Sequence, residues 1–362
     1  MNHMRSLLSC AALCACLAAA PAQAQQKLSY IVVNNLFSTP AYVAAENGYW
    51  AKQGLDVAVK LTSSGRAVVQ AVQAGDAQFG HAALSTTIAS ARASGNLLKG
   101  VIAYYNAADY IAKAGGRAII GRKDRGINAA DPHSMEGKKI AHLTGSTNEV
   151  YLREWFRKNK LDISKSQLVS VPVENMPITL VQGLVDAVAP WEPYQSQAIR
   201  ELGANAVVVS RGAEGLVADT IGAVAHEDWI KTHYDFIEKF ATGLVEATQF
   251  VRRHPQDSAE IATRFLDGLN VADGTEGLKW LDWDPRVSIC TLEGLVLTGN
   301  EMIRTGLIKK DEPFTAADFY DDTVFKRILD KHPEFFADLP PLPKTVAECK
   351  GQLSRRAVCR AD

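Results

Sequence analysis

The chain has 362 residues, 47% of them hydrophobic, enough apolar mass for a sizeable core divided between two domains. Lysine plus arginine number 39 and aspartate plus glutamate 40, a net charge of −1 that gives no whole-chain attraction for nucleic acid. Aromatic residues make up 8% and charged residues 22%, with no polar tract long enough for substantial disorder, so the composition is that of a soluble globular protein.

The chain begins Met1-Asn2-His3-Met4-Arg5, continues in an apolar run over residues 7–20 and then reads Pro21-Ala22-Gln23-Ala24-Gln25. A short basic start, an apolar run of this length and a small-x-small site predict a secretory signal peptide over 1–24, cut after Ala24. The run is shorter than the ~20 residues a transmembrane helix needs. A lipoprotein reading at Cys16 places that cysteine inside the apolar run, where a lipid-bearing residue does not belong. The mature protein is therefore expected in the periplasm. Of six cysteines, Cys10, Cys14 and Cys16 leave with the signal. In an oxidising compartment Cys349 and Cys359 are the candidate disulfide, closing a small loop worth roughly 2–3 kcal/mol. Cys290, in a helical pattern, is then left as a buried inert thiol.

From residue 28 onward, short β-rich runs alternate with helical ones. Strands are predicted over 28–34, 55–61, 77–81 and 98–105, with helices over 40–53, 66–74 and 84–94 between them. A second series places strands at 117–121, 138–143, 167–173, 185–190 and 206–210, and helices at 146–160, 177–182 and 192–202. Residues 216–225 read as the chain returning to the first unit, and the remainder is helical with Pro-rich punctuation at 339–343. The alternation predicts an α/β protein of two parallel or mixed sheets with flanking helices. The second lobe (108–215) is inserted into the first (25–107 and 216–362).

In such sheets ligands sit where strands end and helices begin, because helix N-termini expose unpaired amides and a partial positive charge. Here those loops are rich in hydroxyl and amide groups: Asn35, Ser38 and Thr39; Ser64 and Arg66; Ser85; Gly145, Ser146 and Thr147. Taken singly, each reads first as a helix cap, but four such loops on two lobes point to a ligand site. Arg66 is the cation that could neutralise an anion held at Gly145-Ser146-Thr147. Glu174, Trp191 and Glu192 end two strands of the second lobe, where the acids could accept from an N–H group and the indole could pack on an apolar portion. Their alternative is helix-start acids and a core tryptophan. Tyr105 marks the crossing between lobes, and His81 ends a strand at the cleft mouth as a wall residue.

Reaction chemistry is missing from this pattern. There is no GxSxG elbow, Walker A motif, HExxH, GxGxxG after a strand, CxxC or zinc spacing, so neither catalytic residues nor a metal or cofactor is expected.

Several stretches together resemble the sulfonate/nitrate/taurine branch of bacterial solute-binding proteins, whose domain family includes thiamine-pyrimidine binders. They are Ala41-Tyr42-Val43-Ala44-Ala45-Glu46-Asn47-Gly48-Tyr49-Trp50 with Gly54-Leu55-Asp56-Val57, the A-V-Q-A-G-D-A-Q-F run at 71–79, and Glu136-Gly137-Lys138-Lys139-Ile140 before Gly145-Ser146. Val185-Asp186-Ala187 leading to Trp191-Glu192-Pro193, and Trp283-Asp284-Pro285-Arg286, complete the set. The resemblance implies a two-lobed, doubly crossed periplasmic binding protein (type 2), a monomer that closes around a small-molecule solute. It would deliver that solute to an ABC permease driven by a cytoplasmic ATPase. Gly145 and Ser146 would meet the ligand anion, a sulfonate or carboxylate. A thiamine-type pyrimidine ligand, a sensory receptor role and, on the same fold, cysteine-using enzymes are the alternatives the resemblance leaves open.

Overall fold

The computed structural model describes residues 26–106, 115–212, 216–218 and 220–349. The signal segment 1–24, the lobe boundaries at 107/108 and 215, and Cys359 lie outside the described residues.

Ten strands are described: β1 (Gln26–Val33), β2 (Leu55–Thr62), β3 (Phe79–Ala83), β4 (Leu98–Asn106), β5 (Ala118–Arg122), β6 (Lys139–His142), β7 (Gln167–Ser170), β8 (Ala187–Val188), β9 (Ala206–Arg211) and β10 (Thr220–His226). They form two five-stranded sheets, ordered β2-β1-β3-β10-β4 and β7-β6-β8-β5-β9. The two orders are the same pattern. Each runs three parallel neighbours, then a fourth strand antiparallel to the neighbours on both its sides, β10 in the first lobe and β5 in the second. Those two antiparallel strands are the ones that follow a crossing, β4 to β5 outward and β9 to β10 back. The sheets are therefore mixed.

The alternating pattern of β1 buries Leu28, Tyr30 and Val32 on one face, pairing Tyr30 with Val59 of β2 and with Phe79 of β3. That face meets the long helix Tyr234–Arg253, whose Phe240 stacks on Phe79 at 3.7 Å and on Trp50 at 5.4 Å. Tyr30 meets Phe240 edge-on at 5.1 Å, and the Trp50 indole N–H donates to the Phe240 carbonyl. This aromatic block lies directly behind the strand that carries His81. The helix expected over 40–53 is two helices, Thr39–Glu46 and Tyr49–Lys52, because Gly48 adopts φ +68° and breaks the ladder.

At the first crossing, Gly115 and Gly116 permit a close approach. A Cβ on Gly116 would stand 2.5 Å from Leu281 and 2.7 Å from Phe37, and one on Gly115 would stand 2.6 Å from Trp280. Cys290 lies in the first turn of the helix Ile289–Arg304, as expected of a helical residue, but it is bonded to Cys349, with Cα atoms 5.5 Å apart, and is not a free thiol. The expected Cys349–Cys359 bridge is thus corrected. The turn Val346–Glu348 brings Cys349 back against that helix, whereas proximity in sequence had favoured the short loop. No helix among the described residues is long and apolar enough to cross a membrane.

Candidate functional site

A cleft of about 840 Å³ lies between the two sheets at the carboxyl ends of β1, β3 and β6. Three helices begin at its edge: Gly65–Ala74 and Thr86–Ala93 from the first lobe, and Thr147–Lys158 from the second. Of the residues expected to bind a ligand, the structure brings Asn35, Ser64, Arg66, His81, Gly145, Ser146, Thr147 and Trp191 to its wall.

The wall mixes apolar side chains with hydroxyl, amide and cationic groups. Gly145 turns with φ +75°, and its amide donates to Glu149 Oε2 at 2.7 Å. Ser146 caps the helix by accepting from the Glu149 amide, and its own hydroxyl donates to the Leu143 carbonyl at 2.7 Å. The Ser146 hydroxyl hydrogen is therefore spent within the loop. Thr147 Oγ1 lies 2.6 Å from Thr86 Oγ1, a buried hydrogen bond that joins the lobes directly. Arg66 reaches across the mouth, with Nη2 3.7 Å from the position a Cβ on Gly145 would take. Trp191 is 7% exposed, and its indole N–H has no partner among the described residues.

His81 is 3% exposed at the cleft floor. Its Nδ1 is 2.6 Å from the Tyr104 hydroxyl and 3.1 Å from Ser38 Oγ, and Tyr104 meets Tyr30 at 3.1 Å. Burial, reinforced by the positive charge of Arg117, holds the imidazole down at about 3, so it is neutral at physiological pH. Burial pushes the Tyr104 phenol well above its usual range.

Six expected residues stand elsewhere. Ser38 is buried behind the wall, donating to the Val33 carbonyl at 2.6 Å, and Thr39 caps its turn on the Leu36 carbonyl at 2.6 Å. Ser85 donates to the Ala218 carbonyl at 2.9 Å. Tyr105 is sealed in the core, its ring 4.8 Å from Phe37. Glu174 lines a separate cavity of about 490 Å³, with Asn34, Thr62 and Tyr194. Glu192 is fully buried, accepting from Gln195 Nε2 at 2.6 Å and Ser196 Oγ at 2.8 Å, with Arg211 at 3.3 Å. Burial raises its carboxyl to about 7 against those opposing hydrogen bonds. Neither acid lines the cleft: Glu174 opens on the second cavity, and Gln195 and Ser196 draw Glu192 into the lobe interior.

Sequence reasoning missed Arg117. It is 3% exposed, lines the cleft, donates to Asn148 Oδ1 at 2.6 Å and lies 5.3 Å above the Phe37 ring. Its signal was present: a lone cation opening the apolar run Ala118-Ile119-Ile120 directly after two glycines. Phe37 and Lys309, also in the wall, were missed as well.

Two α/β lobes of one topology, crossed twice and separated by a cleft, define the periplasmic-binding-protein fold. The structure resembles the periplasmic aliphatic sulphonate binding protein SsuA from Escherichia coli, with a TM-score of 0.69 at 18% identity over 83% of this chain and 99% of that one. It also resembles the alkanesulfonate-binding protein SsuA from Xanthomonas axonopodis pv. citri bound to MOPS, with a TM-score of 0.67 at 17% identity over 81% and 97%. A protein of Brucella abortus (strain 2308) that carries a binding-protein name is 23% identical over 288 residues, 77% of this chain and 84% of the relative. The NMT1/THI5-like family profile matches residues 35–258, more than half of the sequence, and the chain belongs to that family.

Proposed function

We propose that this chain is the extracytoplasmic solute-binding component of an ABC importer, which captures a small organic anion of sulfonate or carboxylate type between its lobes and delivers it to the permease. One observation carries the reading. The described residues lining the cleft include the cations Arg66, Arg117 and Lys309 and no aspartate or glutamate. A cleft with one sign of charge and low-dielectric walls concentrates ligands of the opposite sign. Phe37 and Trp191 offer an apolar wall that an inorganic anion would not use, and the volume exceeds what such an ion fills. The structural relatives named for sulfonates support the same class.

A thiamine-type pyrimidine loses the two acids that favoured it, since Glu174 and Glu192 stand outside the cleft. The lobes, 25–107 with 216–362 and 108–215, would move as units about the two crossings, and the chain would act as a periplasmic monomer after loss of residues 1–24. Binding and release, without turnover, is the whole activity in this reading.

The test is a thermal-shift panel on mature protein that has been unfolded and refolded to strip bound solute, with alkanesulfonates, carboxylates, pyrimidines, nitrate and bicarbonate. A ligand at 100 times its Kd should add about 2.7 kcal/mol of stability. Shifts confined to the organic anions support the proposal. A shift from a pyrimidine or nitrate alone would refute the ligand class.

A further inference from the structure

We infer that Tyr30 and Tyr104 lock His81 as the tautomer that carries its hydrogen on Nε2, making it a fixed, uncharged donor that binds an oxygen acceptor of the cleft ligand. This rests on the anion reading of the cleft and names the residue that sets which anions fit.

The assignment follows from counting hydrogens. The Ser38 hydroxyl donates to the Val33 carbonyl at 2.6 Å, so its hydrogen is committed away from the imidazole. Among the described residues the buried Tyr30 hydroxyl has one partner, Tyr104 at 3.1 Å. If His81 Nδ1 carried the hydrogen, it could serve Ser38 or Tyr104, but Nδ1 could no longer accept, and the Tyr30–Tyr104 pair would keep one phenol hydrogen buried without an acceptor. In the opposite sense every hydrogen is placed: Tyr30 donates to Tyr104, and Tyr104 donates to Nδ1 at 2.6 Å. A neutral imidazole accepting at Nδ1 carries its hydrogen at Nε2. That edge has no partner among the described residues, and His81 lines the cleft.

The locking groups are themselves held. Tyr30 and Phe79, on the strands flanking and carrying His81, are clamped by Phe240 of the long helix. Among the described residues, the charged group that faces the imidazole is Arg117, which opposes protonation, and the other facing groups are the phenols of β1 and β4 and the Ser38 hydroxyl. An imidazolium would attract any anion through charge alone. A neutral N–H beside a guanidinium adds direction, and it discriminates by where the anion places an oxygen.

Histidine-selective ¹⁵N-labelled protein, free of ligand, decides the tautomer by NMR. The expected spectrum shows His81 neutral with Nε2 protonated and Nδ1 unprotonated from pH 5 to pH 8. Protonation at Nδ1, or an imidazolium at pH 6, overturns the inference. Tyr104→Phe removes the donor to Nδ1 and should produce a mixture of tautomers with no loss of fold. A single unchanged Nε2–H tautomer in that variant would show that Tyr104 does not position the ring. Ethanesulfonate and propionate then probe the donor. His81→Leu should weaken whichever binds by at least tenfold, His81→Gln, which keeps an N–H near the Nε2 position, should recover part of it, and wild-type affinity should stay flat between pH 5 and pH 8. Equal affinity for His81→Leu and wild type refutes donation. Failure of every organic anion to bind the wild-type protein overturns the anion reading, and the claim of donation to it, whatever the tautomer found.

Discussion

Lowering the pH from 7 to 5 should cost the protein about 2 kcal/mol through His81 alone. The imidazole is held down at about 3 in the folded chain by burial and by Arg117, against an ordinary value of 6.5. Between those values the unfolded chain binds a proton that the folded chain refuses, so stability rises with pH across the window and falls on acidification. The folded group stays neutral throughout, so the loss is set by titration of the unfolded imidazole; over the 1.5 pH steps below its ordinary value this comes to about 2 kcal/mol at 1.36 kcal/mol per step. His142 contributes in the same sense, because burial lowers it too. Urea unfolding of wild type and His81→Gln at pH 5, 6 and 7 isolates this contribution. The constant cost of the substitution cancels, as does the His142 contribution, and the stability advantage of wild type over variant should shrink by about 2 kcal/mol from pH 7 to pH 5. A difference that stays flat across the three pH values would refute a buried neutral His81.

Thr86→Val or Thr147→Val should each weaken ligand binding about 5- to 30-fold, since losing the interlobe hydrogen bond and stranding one buried hydroxyl costs about 1–2 kcal/mol in the closed form. The double variant should lose less than the sum, and strictly additive losses in a calorimetric double-mutant cycle would show that the bond does not hold the lobes together. Reduction of Cys290–Cys349, 59 residues apart, should lower unfolding stability by up to roughly 4 kcal/mol, read as a fall in Tm that Cys349→Ser reproduces; an unchanged Tm under reductant would contradict the pairing. Ser146→Ala should cost about 1 kcal/mol of stability as a lost helix cap yet change anion affinity less than threefold, because its hydroxyl hydrogen already serves Leu143. A loss of affinity above tenfold would return Ser146 to the ligand.

Strand positions were legible because apolar alternation and glycine punctuation are local properties, and β2 and β9 begin where that pattern placed them. The direction of β5 and β10 was not, since it depends on how the chain re-enters each sheet after a crossing. The same limit applies to the site. Position at a strand end announced Ser64, Gly145 and Trp191, but it says nothing about where a side chain turns. Glu192 follows Trp191 directly, yet Gln195 and Ser196, one helical turn on, draw its carboxylate into the interior. Arg117 was hidden in a β-rich run, where a single cation reads as a strand edge. The disulfide depended on the path of the last described turn, which spacing between cysteines does not encode.

On the proposed function, the cleft selects a small organic anion by charge. Isothermal calorimetry on refolded protein, comparing an alkanesulfonate and a carboxylate with their uncharged sulfonamide and amide counterparts, tests it most directly. Saturable one-to-one binding is expected for at least one of the two anions, with binding at least tenfold weaker for its neutral counterpart and a smaller preference in Arg117→Gln. Equal affinity for charged and uncharged forms, or a preference that survives Arg117→Gln intact, would contradict it.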